Sequence, residues 1–195
     1  MTRSRWALRF GETLALDLVV AEGPPPATEA IVVPQDVNMI MGDVEAVVEA
    51  SEPSDDLAAR LSDFQPQRAG SLVVGPLRKA KPLLLQAVVY DFDRSPPSWE
   101  EPVFEALLTA FEEAKARGFS SLAVRPLGTA HSGLSAAAFL KLLAQICYSS
   151  AEMGTTLRRV WLLLPSPAEL QRYQGPLDAL MRERARERRL SPPER

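Results

Sequence analysis

The sequence predicts a three-layer α/β/α domain, in which helices cover both faces of a central mixed sheet. Short segments rich in Val, Leu and Ile alternate along the chain with segments whose apolar residues recur at helical spacing. Several short segments, including 31–33 and 161–164, are apolar at every position, which is typical of strands covered on both faces. The 195 residues, 46% of them hydrophobic, suffice for one core of ordinary size.

The individual elements follow from these patterns. Strands are predicted at 6–10, 14–20, 30–33, 71–74, 84–90, 121–124 and 160–164. A helix with apolar residues at 104, 107, 108 and 111 is expected to end at Gly118. A helix with apolar residues at 139, 142, 143 and 146 is expected to follow the N-cap Ser135. Two further helices are expected over 37–50 and 175–190, with Pro176 at the first position of the latter.

The charge distribution divides the chain into an acidic body and a basic end. Residues 182–195 contain six Arg and three Glu and therefore carry +3, which leaves −6 on the rest of a chain whose net charge is −3. We expect a folded domain over 1–181, followed by a basic helix end and a disordered tail over 182–195. The basic end is either a solvated helix terminus or a docking element for an acidic partner or nucleic acid. The acidic body argues against nucleic acid as a partner.

The compartment is predicted from features that the sequence lacks. A single cysteine, Cys147, excludes an internal disulfide and suggests a reducing environment. The first residues have no apolar core or cleavage site of a signal peptide, and no apolar run is long enough to cross a bilayer. We therefore expect a cytoplasmic protein with no membrane partner. The oligomeric state is left open.

Most catalytic and cofactor motifs are missing. One His and one Cys cannot form a Cys/His zinc site, and no metal is expected. The chain contains no G-x-S-x-G elbow, no P-loop and no G-x-G-x-x-G fingerprint, so no cofactor is expected either. These absences argue against serine hydrolases, most ATPases and dehydrogenases with the usual dinucleotide fold, and they favour a binding module over a catalyst.

The most informative stretch is the connection from the predicted strand at 121–124 to the helix after Ser135. It contains Gly128 and Gly133 and opens at a helix N-terminus. Glycines allow the backbone to approach a ligand closely, and unpaired N–H groups with the helix dipole favour an anion such as phosphate. A tight strand-to-helix turn that needs glycine only for its own geometry is the alternative.

The stretch Pro126-Leu-Gly-Thr-Ala-His-Ser-Gly-Leu-Ser135 resembles the second phosphate loop of macro domains, often written P-x-L-G-T-G-x-G-G-L. The resemblance extends in order from about Trp6 to Tyr173. Ala30-Ile-Val-Val-Pro-Gln-Asp36 resembles the strand that the family writes A-I-V-N-x-x-N, and residues 68–75 and 83–91 resemble its central strand pair. The resemblance implies the macro-domain fold.

The resemblance also implies a ligand of the ADP-ribose kind. Its phosphates would be lined by Gly128, Thr129, Ala130, His131, Ser132 and Gly133. In the first loop, Val33 and Asp36 replace the two Asn of the family, and only Gly42 remains of the glycine run, beside Asp43. Asp36 and Gly42 would belong to the site, although carboxylates there would repel a pyrophosphate.

Two functions remain open at this stage. The first is a divergent macro domain that binds ADP-ribose or a related nucleotide without catalysis. The second is a macro-like scaffold that has lost its ligand and serves protein interaction or regulation, like the macro-like N-terminal domain of leucine aminopeptidases. If the protein were an enzyme, it would hydrolyse an ADP-ribosyl linkage with Asp36 or His131 as the weak candidates for acid–base catalysis. Structural roles are favoured for both residues: Asp36 as the cap of a helix that begins near Val37, and His131 as an exposed polar residue of a Gly-Ser loop.

Overall fold

The computed structural model describes residues 6–10, 16–21, 28–39, 41, 66–75, 82–164 and 166–190, with the side chains of 16–19 and 187–190 excepted. Within these ranges the elements follow in the order β1 (Ala7–Phe10), β2 (Leu16–Ala21), β3 (Ala30–Asp36), β4 (Leu72–Val74), β5 (Leu83–Tyr90), α1 (Glu100–Ala116), β6 (Ser121–Val124), α2 (Ala136–Glu152), β7 (Arg159–Leu163) and α3 (Pro167–Leu190).

The described strands form one mixed sheet, as the sequence predicts, and the structure gives their order as β1-β2-β7-β6-β3-β5-β4. Only the edge strands β1 and β4 pair antiparallel with their neighbours, while β2, β7, β6, β3 and β5 run parallel. The carboxyl ends of these five strands therefore lie at one edge of the sheet. After β3 the chain continues to β4 and β5 on one side, whereas after β6 it continues to β7 on the other. The crevice between the ends of β3 and β6 is thus a topological switch point, where open α/β sheets bind ligands.

Strand β3 is longer than predicted, because it continues through Pro34 to Asp36. The Val32 carbonyl accepts a hydrogen bond from the Arg125 amide on the β6 side. The backbone N–H and C=O groups of every second residue of β3 point to that side, and Pro34 is one of these residues. Strand β6 ends at Val124, which pairs with Val32, and Pro34 lies beyond this last pair. The missing N–H of Pro34 therefore removes no hydrogen bond of the sheet. The extension places Asp36 at the carboxyl edge.

The helices pack on one face of the sheet around the main hydrophobic core. All three helices in the described ranges contribute to this core, together with Ala30, Val32, Leu122, Val124, Val160 and Leu162 from alternating strand positions. A smaller cluster of Ile31, Ala123 and Leu163 lies on the opposite face. The predicted helix over 37–50 lies outside the described residues beyond Met41, so the second helical layer stays a prediction.

The last helix begins earlier than predicted, and Pro176 lies inside it rather than at its first position. Pro167 occupies the first position instead, and the hydroxyl of Ser166 accepts a hydrogen bond from the Glu169 amide as an N-cap. This longer helix brings residues 169–173 to the carboxyl edge of the sheet. Residues 191–195 of the predicted tail lie outside the described residues.

The basic end of α3 is packed at one point where the sequence suggested a solvated surface. The guanidinium of Arg184 lies 4.4 Å from the ring centroid of Phe10 and 5.2 Å from that of Tyr148. These cation–π contacts tie α3 to β1 and α2 beyond Met181, where the apolar stripe of the helix ends. None of the helices in the described ranges has an apolar stretch that would span a membrane.

Candidate functional site

The candidate site is the connection between β6 and α2, residues 125–135, called here the glycine loop. It leaves the sheet next to the end of β3, at the switch point. The Leu134 amide donates to the Gly128 carbonyl at 2.7 Å, and the Gly133 amide donates to the Ala130 carbonyl at 3.0 Å. These two bonds close the loop into a compact turn immediately before the helix. The structure thus brings together all six residues that the sequence nominated between 128 and 133.

The start of α2 is capped as predicted. The hydroxyl of Ser135 accepts a hydrogen bond from the Ala138 amide at 3.1 Å, and the first turn of the helix contains no acidic residue. The positive end of the helix dipole is therefore not neutralised by a carboxylate of its own first turn. This end of the helix favours an anion.

Both glycines of the loop are required by close packing. Gly128 has a φ of +68°, and a Cβ on it would lie 2.5 Å from the Ser98 hydroxyl and 2.8 Å from Val103. A Cβ on Gly133 would collide with the carbonyl oxygen of Gly128 and lie 3.2 Å from that of Ala130. The loop is therefore packed tightly against the N-terminal end of α1. Any side chain at Gly133 would therefore distort this loop.

Three amides of the loop are available to a ligand. Within the described ranges, the N–H groups of Thr129, His131 and Ser132 make no hydrogen bond to the protein. His131 and Ser132 both have positive φ values, +53° and +61°, which few residues other than glycine adopt. They are the two central residues of the turn that the Gly133–Ala130 hydrogen bond closes, and unbonded amides of such turns are groups that can bind anions. The geometry thus supports an anion site on this loop.

A tyrosine from β5 accepts the hydrogen bond of the Ala130 amide, which lies between the unbonded amides of Thr129 and His131. Tyr90 is almost fully buried, and its hydroxyl accepts a hydrogen bond from the Ala130 amide at 2.9 Å. Burial raises the pKa of Tyr90, and the Ala130 amide and the charge of Arg172 partly offset this rise. The ring of Tyr90 stacks on Phe92, and both rings contact His131 edge to face. No local sequence pattern indicates this contact, because Tyr90 lies 40 positions before Ala130.

Helix α3 supplies a positive charge to the same loop. The Arg172 guanidinium donates to the Thr129 carbonyl at 3.1 Å. Tyr173, the next residue, is buried against Phe139, and burial raises its pKa to about 12 although the Thr129 hydroxyl and Arg172 act in the opposite direction. Arg172 was missed in the sequence because no motif surrounds it. A guanidinium at this position strengthens the attraction of the loop for phosphate.

Asp36 lies at the end of β3, on the other side of the switch point from the glycine loop. Its side chain is fully buried, with 0% exposure, and its carboxylate accepts hydrogen bonds from the amides of Asn38 and Met41. Residues 37–39 form a turn rather than the start of the predicted helix, so the carboxylate caps a turn at the end of β3 and not a helix that begins near Val37. Gly42 and Asp43 lie outside the described residues.

A groove of about 520 Å³ lies beside the N-terminal end of α1, but no residue of the glycine loop lines it. Two of its carboxylates are paired, Glu105 with Arg68 and Asp91 with Arg94. Asp93 and Glu101 add two further negative charges to its wall. The groove is therefore acidic overall and less suited to phosphate than the glycine loop.

The fold is similar to that of solved macro domains. The macrodomain of Oceanobacillus iheyensis with ADP matches with a TM-score of 0.65 and 16% identity over 91% of this chain and 97% of that chain. The Trypanosoma brucei macrodomain in complex with ADP-ribose matches with a TM-score of 0.59 and 14% identity over 81% of this chain and 68% of that chain.

The macro domain of ganglioside-induced differentiation-associated protein 2 matches with a TM-score of 0.60 and 18% identity over 81% of both chains. The sequence itself matches no protein-family model and no curated protein. At identities this low, the similarity concerns the path of the backbone and not the residues of the site. It agrees with the resemblance seen in the order of the strands and in the glycine loop, and the chain therefore has the macro-domain fold.

Proposed function

We propose that the protein binds a nucleotide of the ADP-ribose kind, with its phosphates on the glycine loop, and that it does not catalyse a reaction on this ligand. The observation that carries the proposal is the group of amides at Thr129, His131 and Ser132, which make no hydrogen bond to the protein within the described ranges and lie in the loop that leads into α2. Amides at a helix N-terminus bind phosphate through hydrogen bonds and through the helix dipole. Arg172 adds a full positive charge beside them.

The comparisons support the choice of ligand. Solved structures with the same fold contain ADP in one case and ADP-ribose in another. These ligands share a pyrophosphate, which is the chemistry that a row of backbone amides recognises. The proposal extends this ligand class to the present chain through its own loop geometry.

The surroundings of the two candidate acid–base residues, Asp36 and His131, argue against catalysis. Asp36 is buried, and its carboxylate already accepts two backbone amides, so it is poorly placed to take a proton from water. His131 is exposed, and its ring contacts Phe92 and Tyr90 rather than an acidic partner among the described residues. No orienting carboxylate in the described ranges pairs with this imidazole, as an efficient general base would require.

Calorimetric titration with ADP-ribose tests the proposal, with the pair Ser132→Asp and Ser132→Asn as matched variants. Ser132 is exposed at a φ of +61°, a conformation that both Asp and Asn tolerate well, so both variants should fold. We expect a micromolar Kd for the wild type and for Ser132→Asn. Ser132→Asp should bind at least tenfold more weakly, because its carboxylate would meet the phosphates.

Equal affinity of the Asp and Asn variants would remove the loop from the site. Catalysis is tested separately, by incubating the protein with an ADP-ribosylated substrate. We expect no release of ADP-ribose above the spontaneous rate, and turnover that is lost in His131→Ala would contradict the non-catalytic assignment.

A second candidate function is a scaffold for protein interaction that no longer binds a ligand. The observation in its favour is that three amides of the loop, those of Ala130, Gly133 and Leu134, already donate hydrogen bonds to acceptors in the protein. Absence of heat and of a thermal shift with millimolar ADP-ribose would favour this candidate over nucleotide binding.

A further inference from the structure

The chain contains a single histidine, and this residue lies in the glycine loop. His131 is exposed, and its amide is one of the three that make no hydrogen bond to the protein within the described ranges. An imidazole is the side chain whose charge ordinarily changes between about pH 5 and pH 8. Cys147 is fully buried, and burial raises the pKa of its thiol away from this range. A change of charge near neutral pH is therefore expected at the anion site itself.

The imidazole ring is held beside the loop by two aromatic rings. Its centroid lies 5.7 Å from that of Tyr90 and 5.4 Å from that of Phe92, and it meets both rings at an angle of 83°. Tyr90 is buried, and its hydroxyl accepts a hydrogen bond from the Ala130 amide of the same loop. Because an imidazole is also only a few bonds away from the amide of its own residue, a charge on this ring acts on an anion bound to the free amides.

A charge on the imidazole is not already neutralised by a partner in the described part of the chain. There the ring makes neither a hydrogen bond nor an ion pair. The first turn of α2, which follows the loop, contains no acidic residue. At the end of β3, the Asp36 carboxylate is buried and accepts the amides of Asn38 and Met41. The imidazole therefore remains available to an anionic ligand.

Charged groups on the other neighbouring elements act in opposite directions. Asp91 and Asp93 flank Phe92 after β5, and Asp91 is paired with Arg94 at 3.2 Å. Glu100 and Glu101 are exposed at the start of α1, against which the loop packs. Carboxylates favour a protonated imidazole, whereas the Arg172 guanidinium at the Thr129 carbonyl and the free amides oppose it. A bound anion would shift this balance towards protonation.

We propose that protonated His131 is the second cationic group that binds the phosphates of the ligand, so that binding takes up a proton and strengthens as the pH falls. The pyrophosphate of ADP-ribose carries two negative charges, which Arg172 and protonated His131 match. An opposite charge within about 4–6 Å favours the charged form of a group by about tenfold or more, and by linkage the proton favours the ligand equally. This inference rests on the proposed function of the loop and adds a pH dependence to it.

Calorimetric titration with ADP-ribose at about pH 5.5, 6.5 and 8.0 and constant ionic strength tests this inference. Each phosphate of this ligand has one ionisable oxygen, which stays ionised over the whole range. The compared variants are His131→Asn and Ser132→Asn, which place the same neutral amide at adjacent positions with φ values of +53° and +61°, a conformation that Asn tolerates. Thermal unfolding shows beforehand that each protein is folded at each pH.

We expect the affinity of the wild type and of Ser132→Asn to rise by about three- to tenfold from the highest to the lowest pH, and that of His131→Asn to change by less than about twofold. A second readout follows from the single histidine, because the untagged protein gives one imidazole Hε1 resonance. The pH at which this resonance is half-shifted should be higher with ADP-ribose bound than without it.

The contrary results separate this inference from the function on which it rests. Affinity that does not change with pH, or a pH dependence that persists in His131→Asn, would refute the role of His131 while leaving the phosphate site in place. If His131→Asn does not bind at all, the histidine resonance of the wild type decides, and an unchanged midpoint would refute the inference. If the wild type binds no ADP-ribose at any of these pH values, the proposed function itself fails, and this inference fails with it.

Discussion

Replacing Gly133 by alanine tests whether the glycine loop is held in its compact form. A Cβ at this position would overlap the Gly128 carbonyl oxygen and lie 3.1 Å from the Cβ of Ser98. The Gly128 carbonyl also accepts the 2.7 Å hydrogen bond from the Leu134 amide, so that it cannot withdraw without lengthening this bond. Overpacking of this kind lowers the free energy of unfolding by about 1–3 kcal/mol.

Gly175 is the matched control for this substitution. It lies inside α3 with no positive φ, and a Cβ on it would meet nothing within 4 Å. Alanine is a better helix former than glycine, so Gly175→Ala should raise the free energy of unfolding by about 0.5–1 kcal/mol. The two Gly-to-Ala changes are chemically identical and should act in opposite directions.

Urea denaturation followed by circular dichroism measures both effects. We expect the midpoint to fall for Gly133→Ala and to rise for Gly175→Ala, with similar slopes. In the same preparations, Gly133→Ala should weaken ADP-ribose binding, because the amides before it change direction. If Gly133→Ala were as stable as the wild type, the close contact with the Gly128 carbonyl would be wrong, and so would the loop geometry on which the anion site depends.

Three further predictions follow from single contacts. Arg172→Gln should weaken ADP-ribose binding by about fivefold and reduce its salt dependence, because one exposed charge near the phosphates contributes about 1 kcal/mol. Arg182→Gln on the same helix is the control. An equal loss of affinity in both variants would indicate a general effect of net charge and contradict a specific role of Arg172. Glu29→Gln should lower stability by about 1 kcal/mol at neutral pH, since the carboxylate accepts hydrogen bonds from Ser120 and Ser121. Burial raises the pKa of Glu29, but these hydrogen bonds outweigh burial and lower the pKa below its ordinary value of 4.5. The stability difference between wild type and variant should therefore be present above pH 4.5 and vanish on acidification through the pKa of the folded state. A stability difference that does not change with pH in denaturant titrations would contradict this. Cys147 is fully buried and burial raises its pKa, so a thiol reagent should label it only as fast as the protein unfolds, and rapid labelling of the native protein would contradict its position in the core.

The sheet and the helices on its main face were predictable from local pattern. The helical spacing of apolar residues gave α1 and α2, and the caps at Ser135 and Gly118 lie where the sequence placed them. Strand β3 was predicted too short because the proline at position 34 interrupts the pattern, and its tolerance depends on where β6 ends. The start of α3 was missed because Pro176 signals a helix start as well as Pro167 does.

The candidate site was predictable only in its backbone. The two glycines and the following helix cap identify the loop in the sequence, since they are properties of adjacent residues. Tyr90, Phe92 and Arg172 come from other elements and reach the loop only through the parallel order of β3, β5 and β6 and the extra turns of α3. No local pattern encodes such contacts, which is why the aromatic contacts and the positive charge appear only in the structure.

The most direct test of the central claim is a titration of ¹⁵N-labelled protein with ADP-ribose, followed by amide chemical shifts. If phosphates bind the glycine loop, the largest shifts should occur at the free amides of Thr129, His131 and Ser132, and the amide of Leu134, bonded to Gly128, should change less. Saturating shifts confined to residues of the acidic groove, such as Asn38 and Arg94, with none in the glycine loop would contradict the account.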